Sequence, residues 1–151
     1  MDVDLKIDVF DSFVLPRPDE KNDIARFLFE HLEQYGDKLA DINKAIEYAL
    51  KERPSFGGKL FRGMVNNEIV GAVVINHTGM DGYIPENILV YIATHNEYRG
   101  KGIGKALMKF VIENTQGDIA LHVEHDNPAK FLYDKLGFDN KYLEMRLKKQ
   151  K

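Results

Sequence analysis

The sequence of 151 residues contains no cysteine. Without thiols there is no disulfide framework, no thiolate nucleophile and no Cys-ligated zinc or iron–sulfur cluster, so any covalent intermediate would need another residue. No segment is low in complexity, and no period of about 20 to 50 residues is present, which excludes solenoids and long disordered linkers. The longest apolar run, Ile69 to Ile75, is far shorter than the roughly 20 residues that span a bilayer. The opening M-D-V-D-L-K is acidic where a secretory signal is basic, and Asp2 stands where N-myristoylation needs glycine. A cytoplasmic protein with no membrane association is expected.

Excess positive charge is also lacking. There are 21 basic against 24 acidic residues, a net charge of −3, and the sequence pI is near 6.0. Nucleic-acid-binding domains commonly lie above a pI of about 9, so no nucleic-acid partner is expected and the terminal R-L-K-K-Q-K reads as a solvated end. The length suits one domain, within the usual range of roughly 100–200 residues, and a single domain over 1–151 is the expectation.

The apolar pattern sets the order of elements. A first strand is expected around Leu5 to Phe10, followed by a helix with Ile24, Phe27, Leu28, His31, Leu32 and Tyr35 on one stripe and Gly36 at its end. A second helix buries Leu39, Ile42, Ile46, Ala49 and Leu50, and Pro54 marks its limit. Leu60 to Val65 and Ile69 to Asn76 flank Asn66-Asn67, residues that tolerate the positive φ of a tight hairpin. Ile88 to Ala93 is apolar on both faces and reads as a central strand. A helix with Ile103, Leu107, Phe110 and Val111 follows, then a strand in which Ile119, Leu121 and Val123 alternate. A helix bearing Ala129, Leu132, Tyr133 and Leu136 stops at Gly137, and a last strand is expected with Leu143, Met145 and Leu147 on one side. The order β, α, α, β, β, β, α, β, α, β implies a mixed sheet with helices on it.

The most informative segment is Arg99 to Lys105, R-G-K-G-I-G-K, between a buried strand and a helix start. The first N–H groups of a helix lack partners and its macrodipole is positive there. Glycines at 100, 102 and 104 let backbone approach a ligand, and Arg99, Lys101 and Lys105 add charge. Cations at a helix start oppose the macrodipole by ~0.3–1 kcal/mol each unless an anion is bound, so the segment reads as a phosphate site. It is neither of two better-known phosphate loops. The third glycine of G-x-G-x-x-G falls on Lys105 or Leu107, and Lys105 is followed by Ala106 where a Walker A loop has Ser or Thr. Hydride transfer and nucleotide hydrolysis lose their support.

R-G-K-G-I-G resembles motif A of the GNAT superfamily of acyl-CoA-dependent N-acyltransferases: Gln or Arg, two residues, Gly, one residue, then Gly or Ala, with Arg99, Gly102 and Gly104 in the fixed positions. A second block, N-P-A-K-F-L-Y-D-K-L-G-F from Asn127 to Phe138, is similar to the family's C-terminal block of an Asn, a short helix bearing Tyr, and Gly-Phe. The resemblance implies an α/β (α+β) fold: a mixed, mostly antiparallel central sheet of about six to seven strands flanked by four helices. It implies acetyl-CoA as cosubstrate and no metal, and an amine acceptor that is a small molecule or a peptide. Dimers, common among similar proteins, are a further implication.

Carried over by residue, the resemblance places the coenzyme pyrophosphate on Gly100, Lys101, Gly102, Ile103, Gly104 and Lys105, beside Arg99. Ile92 and Thr94 would offer backbone groups to the pantetheine arm, Asn127 would contact the coenzyme, and Tyr133 would protonate the leaving sulfur. At its ordinary pKa of about 10 a tyrosine stays protonated at neutral pH. The general base stays open among Glu86, His122, Glu124 and a water relay. His122-Val-Glu124-His125 is not read as a metal site, because a strand turns His125 away from the other two. A non-catalytic acyl-CoA-binding regulatory module is the alternative function.

Overall fold

Five strands form one sheet in the computed structural model, which describes residues 4–150. They are β1 (Lys6–Phe10), β2 (Gly58–Val65), β3 (Glu68–His77), β4 (Asn87–Thr94) and β5 (Ile119–Leu121), side by side in chain order. The first four are antiparallel, and β5 joins β4 in parallel. Four α-helices accompany them: α1 (Pro18–His31), α2 (Leu39–Ala49), α3 (Ile103–Glu113) and α4 (Ala129–Lys135). The class is the expected mixed α/β arrangement. The chain divides into two compact units, Met1–Leu121 and His122–Lys151; the sheet and α1 to α3 belong to the first.

Asn66 and Asn67 adopt φ of 51° and 63°, the left-handed pair that a two-residue hairpin needs, and they set the β2/β3 register with Val65 opposite Glu68. The stripe read on α1 then meets the sheet. Ile24 and Leu28 of α1 and Ile42 and Ile46 of α2 have no exposed surface and share a core with Leu60, Ala72, Val74, Tyr91 and Ala93. Each such aliphatic side chain contributes about 1.5–3 kcal/mol by leaving water. Strand residues alternate faces, so Phe61 and Gly71 look the other way, toward α3. The Phe61 ring meets Phe110 edge-on at 6.1 Å between centroids. Gly71 is required by close approach: a methyl added there would lie 2.2 Å from Leu107 Cδ1.

At the start of β4 the buried Asn87 donates from Nδ2 to the carbonyls of Gln116 (2.7 Å) and Asp118 (3.2 Å), pinning the segment that enters β5. β5 is short. It matches β4 only from Asn87 to Leu89, and the strand expected to run on through Val123 ends at Leu121.

The expectation of six to seven strands is corrected to five among the described residues. Residues 138–150 carry no strand, and Leu143, Met145 and Leu147 are 85%, 89% and 83% exposed. Their alternation has the right period, but a strand exists only where a neighbour takes its N–H and C=O groups, and this segment has none. Helix α1 also ends earlier than its apolar stripe, at His31, with Glu33–Tyr35 forming a separate 3-10 turn.

Candidate functional site

The far half of β4 offers backbone that the sheet does not use. The β3/β4 register shifts between Val74, opposite Tyr91, and Ile75, opposite Leu89, so Val90 is the extra residue of a bulge. Past it, His95 N–H donates to Val70 O at 2.9 Å. In an antiparallel ladder such pairs alternate. Tyr91 and Ala93 therefore turn their backbone groups to β3, while Ile92 and Thr94 turn theirs away. With β5 paired only as far as Leu89, no strand among the described residues meets Ile92 or Thr94 on the side away from β3; these are the two residues expected to present backbone to the pantetheine arm.

Beyond Thr94 comes a 3-10 turn, Asn96–Tyr98, then Arg99 and the glycine loop. Gly100 and Gly102 have φ of 80° and 82°, a backbone that other residues adopt only at a cost. Nothing lies within 4 Å of a methyl built on Gly100, so what requires glycine there is the φ angle. Gly102 caps α3 without a side-chain hydrogen bond, and the first turn of α3 holds no acidic residue. In α1, by contrast, Glu20 reaches back to take the N–H of the cap residue Arg17 at 2.9 Å. Among the described residues no side chain accepts the N–H groups of Ile103, Gly104 and Lys105. Alternating left-handed residues at a bare helix start make a concave set of N–H donors, and an anionic phosphate fits that donor set.

The cations of the loop divide into two groups. Lys101 sits 5.3 Å over the Tyr98 ring, and Lys105 is exposed with no ion pair among the described residues. Arg99 turns away from the loop. Its Nη1 donates to Glu33 Oε1 at 3.0 Å, and its Nη2 donates to the carbonyls of His31 (2.9 Å) and Thr94 (3.4 Å). Its side chain fastens the loop to the end of α1.

Asn127 and Tyr133 lie in the second unit. Asn127 Oδ1 accepts the Ala129 N–H at 2.9 Å at the start of α4, leaving its amide NH₂ as donor. Tyr133 is buried, packs edge-on against Phe138 at 5.9 Å, and makes no hydroxyl hydrogen bond with the described residues. Burial alone pushes its phenol up to about 12. Of the base candidates, Glu86 accepts the Asp118 N–H at 3.3 Å just before β4, eight residues from Thr94. His122 and Glu124 are exposed in irregular chain after β5, so no strand holds them on one face.

Pattern reading passed over His31 and His95. Both rings stand against the turn that leads into the loop, 4.3 Å apart between centroids. One sequence signal pointed to the first: a histidine on the apolar stripe of α1.

The family model for the acetyltransferase (GNAT) domain matches residues 57–140, more than half of the chain. This chain belongs to the GNAT acetyltransferase family. The matched segment of this GNAT chain runs from just before β2 to just past α4 and holds the bulge, the glycine loop, Asn127 and Tyr133; β1, α1 and α2 precede it. The same fold appears in solved structures of low sequence identity. A possible acetyltransferase from Clostridium difficile 630 superposes with a TM-score of 0.68 at 21% identity, covering 97% of both chains. An aminoglycoside N-acetyltransferase in complex with CoA gives 0.69 at 14% identity, over 99% of this chain and 97% of its own. A ribosomal-protein-alanine N-acetyltransferase from Brucella melitensis biovar Abortus 2308 gives 0.65 at 17%, over 96% and 99%. No curated protein matches the sequence. Among the described residues no helix is long and apolar enough to cross a membrane.

Proposed function

We propose that this chain, acting as one domain, is an N-acetyltransferase that moves the acetyl group of acetyl-CoA directly to a primary amine of a small molecule or peptide. The observation that carries the reading is the bare, left-handed Gly100–Gly102 start of α3, which follows a strand whose Ile92 and Thr94 backbone groups turn away from β3 and meet no other strand among the described residues. The thioester supplies an activated acetyl group. The N–H groups from Gly100 to Lys105 hold the pyrophosphate, with Lys101 and Lys105 adding charge. Ile92 and Thr94 align the pantetheine amides as a strand edge aligns a peptide.

In the transfer the acetyl C–S bond breaks and a C–N bond forms. The amine gives up a proton to the general base, which is one of Glu86, His122, Glu124 or a water relay; the thiolate takes one from Tyr133, and solvent returns a proton to the phenol. Burial keeps that hydroxyl protonated across the assay range, as a proton donor requires. Asn127 contributes its amide to the coenzyme. With no cysteine in the chain and no other nucleophile assigned, the acetyl group passes within a ternary complex.

The test mixes purified protein with acetyl-CoA and a panel of amino sugars, polyamines, amino acids and peptide N-termini, following thiol release. Release that depends on both acetyl-CoA and one class of amine supports the reading. Tight coenzyme binding with no release for any amine points instead to an acyl-CoA-binding regulatory module.

A further inference from the structure

The turn that delivers the chain into the glycine loop is held by two imidazoles. His31 Nδ1 accepts the Asn96 N–H at 3.2 Å, and His95 Nδ1 accepts the Glu97 N–H at 3.1 Å. His31 grips the same turn a second time, since its carbonyl accepts from Arg99 Nη2 at 2.9 Å. One residue at the last position of α1 thus fastens both ends of Asn96–Arg99. We propose that His31 is a positioning residue for the coenzyme site, acting through the Asn96–Arg99 turn to set Gly100–Lys105 and doing so only with its ring neutral. The proposal rests on reading Gly100–Lys105 as the pyrophosphate cradle.

The chemistry follows from which nitrogen accepts. A ring nitrogen that accepts a backbone N–H has no proton, so the neutral ring carries its hydrogen on Nε2. Protonation puts a hydrogen on Nδ1, and two donors then face each other at Asn96. The surroundings favour the neutral form. His31 is 5% exposed, wedged between Phe27 (4.5 Å between centroids) and His95. Burial and the neighbouring His95 and Arg99 hold its pKa below the ordinary value, against Glu30 and Glu33. Its Nε2 stands 4.0 Å from Glu30 Oε2. His95 faces Glu68 of β3 at 3.7 Å and packs edge-on against Tyr98.

Asparagine separates the role from mere filling of space, because its Oδ1 sits where Nδ1 does and accepts at every pH. The experiment measures CoA dissociation constants for wild type, His31→Asn and His31→Leu from about pH 8 to about pH 5, a range spanning the histidine titration, and follows exchange of the Asn96 amide by NMR in each. Near neutrality, wild type and His31→Asn bind alike, while His31→Leu binds about three- to tenfold more weakly, the worth of one lost hydrogen bond. As pH falls through the folded His31 pKa, which lies below the ordinary histidine value, wild type weakens relative to His31→Asn, a ratio in which the titration of the CoA phosphates cancels. Asn96 stays protected in wild type and His31→Asn and exchanges freely in His31→Leu. Equal affinity of His31→Leu and wild type, or a flat wild-type to His31→Asn ratio, overturns the proposal. Loss of affinity in His31→Asn equal to that in His31→Leu overturns it too. Should wild type bind no CoA, the coenzyme reading fails, and a protected Asn96 amide in His31→Leu would remove the clamp as well.

Discussion

The phenol of Tyr91, buried in β4, donates to Asp37 Oδ2 at 2.5 Å and so fixes an exposed carboxylate in the α1–α2 connection. Burial, then this hydrogen bond, drives the tyrosine pKa well above its ordinary value, so the phenol is a permanent donor. We propose that this held carboxylate draws a cationic amine acceptor. Asp37→Asn keeps the acceptor oxygen and removes the charge. It is expected to raise KM for a polyamine about two- to fivefold, the worth of one exposed charge pair, with CoA affinity unchanged. Steady-state kinetics beside calorimetry check this, and a lowered KM would rule out a cationic acceptor at that position.

Tyr133→Phe removes one hydroxyl from a buried ring. Loss of a positioned general acid is expected to lower kcat about 10²–10⁴-fold while the CoA dissociation constant stays within about twofold, less than one hydrogen bond is worth. The phenol is held up to about 12 by burial, so an alkaline limb in the wild-type rate profile at lower pH belongs to another group and persists in any residual activity of the variant. Unchanged kcat would remove Tyr133 from the reaction.

Gly71 and Leu107 are a matched pair, the absent Cβ of one making room for Cδ1 of the other. Gly71→Ala is expected to cost about 1–3 kcal/mol through overpacking. In a Leu107→Ala background the same change costs less, because the clash is gone, and denaturant unfolding of the four proteins gives the coupling. Strict additivity would show that the two residues do not meet.

Stability falls on acidification in two steps. The His31 pKa lies below the ordinary histidine value, so the unfolded chain binds more protons just below about pH 6.5 and stability drops as pH falls from there toward the folded value. The Glu20 pKa is lowered, first by the Arg17 N–H and then by Arg62, which sits 3.0 Å away. Its contribution is complete above about pH 4.3 and is lost as pH falls further. Melting temperature against pH is expected to lose the upper step in His31→Asn and to show a smaller lower step in Glu20→Gln, where Asp19, whose pKa is also lowered by Arg17, remains.

Elements whose signal is local were legible in the sequence. The Asn66-Asn67 turn stands as read, the stripe read from Ile24 to Tyr35 is helical as far as His31, and Gly100 and Gly102 take the positive φ open to glycine. The strand expected through Leu143, Met145 and Leu147 failed because period-two alternation describes a segment able to pair and says nothing of whether a neighbour is there. The grip of His31 on Asn96, across 65 positions, and the turn of Arg99 toward Glu33, across 66, are set by how α1 packs on the sheet. No local pattern contains them. That Ile92 and Thr94 turn their backbone groups away from β3 depends on a bulge at Val90, which only the strand pairing reveals.

The central claim is that the backbone from Gly100 to Lys105 binds the coenzyme. Titrating ¹⁵N-labelled protein with CoA and following each amide tests it most directly. The largest shifts are expected at Gly100, Lys101, Gly102, Ile103, Gly104 and Lys105, with Ile92 and Thr94 moving in step and saturating at the same CoA concentration. Saturable binding that leaves these amides in place, or no binding at all, would contradict it.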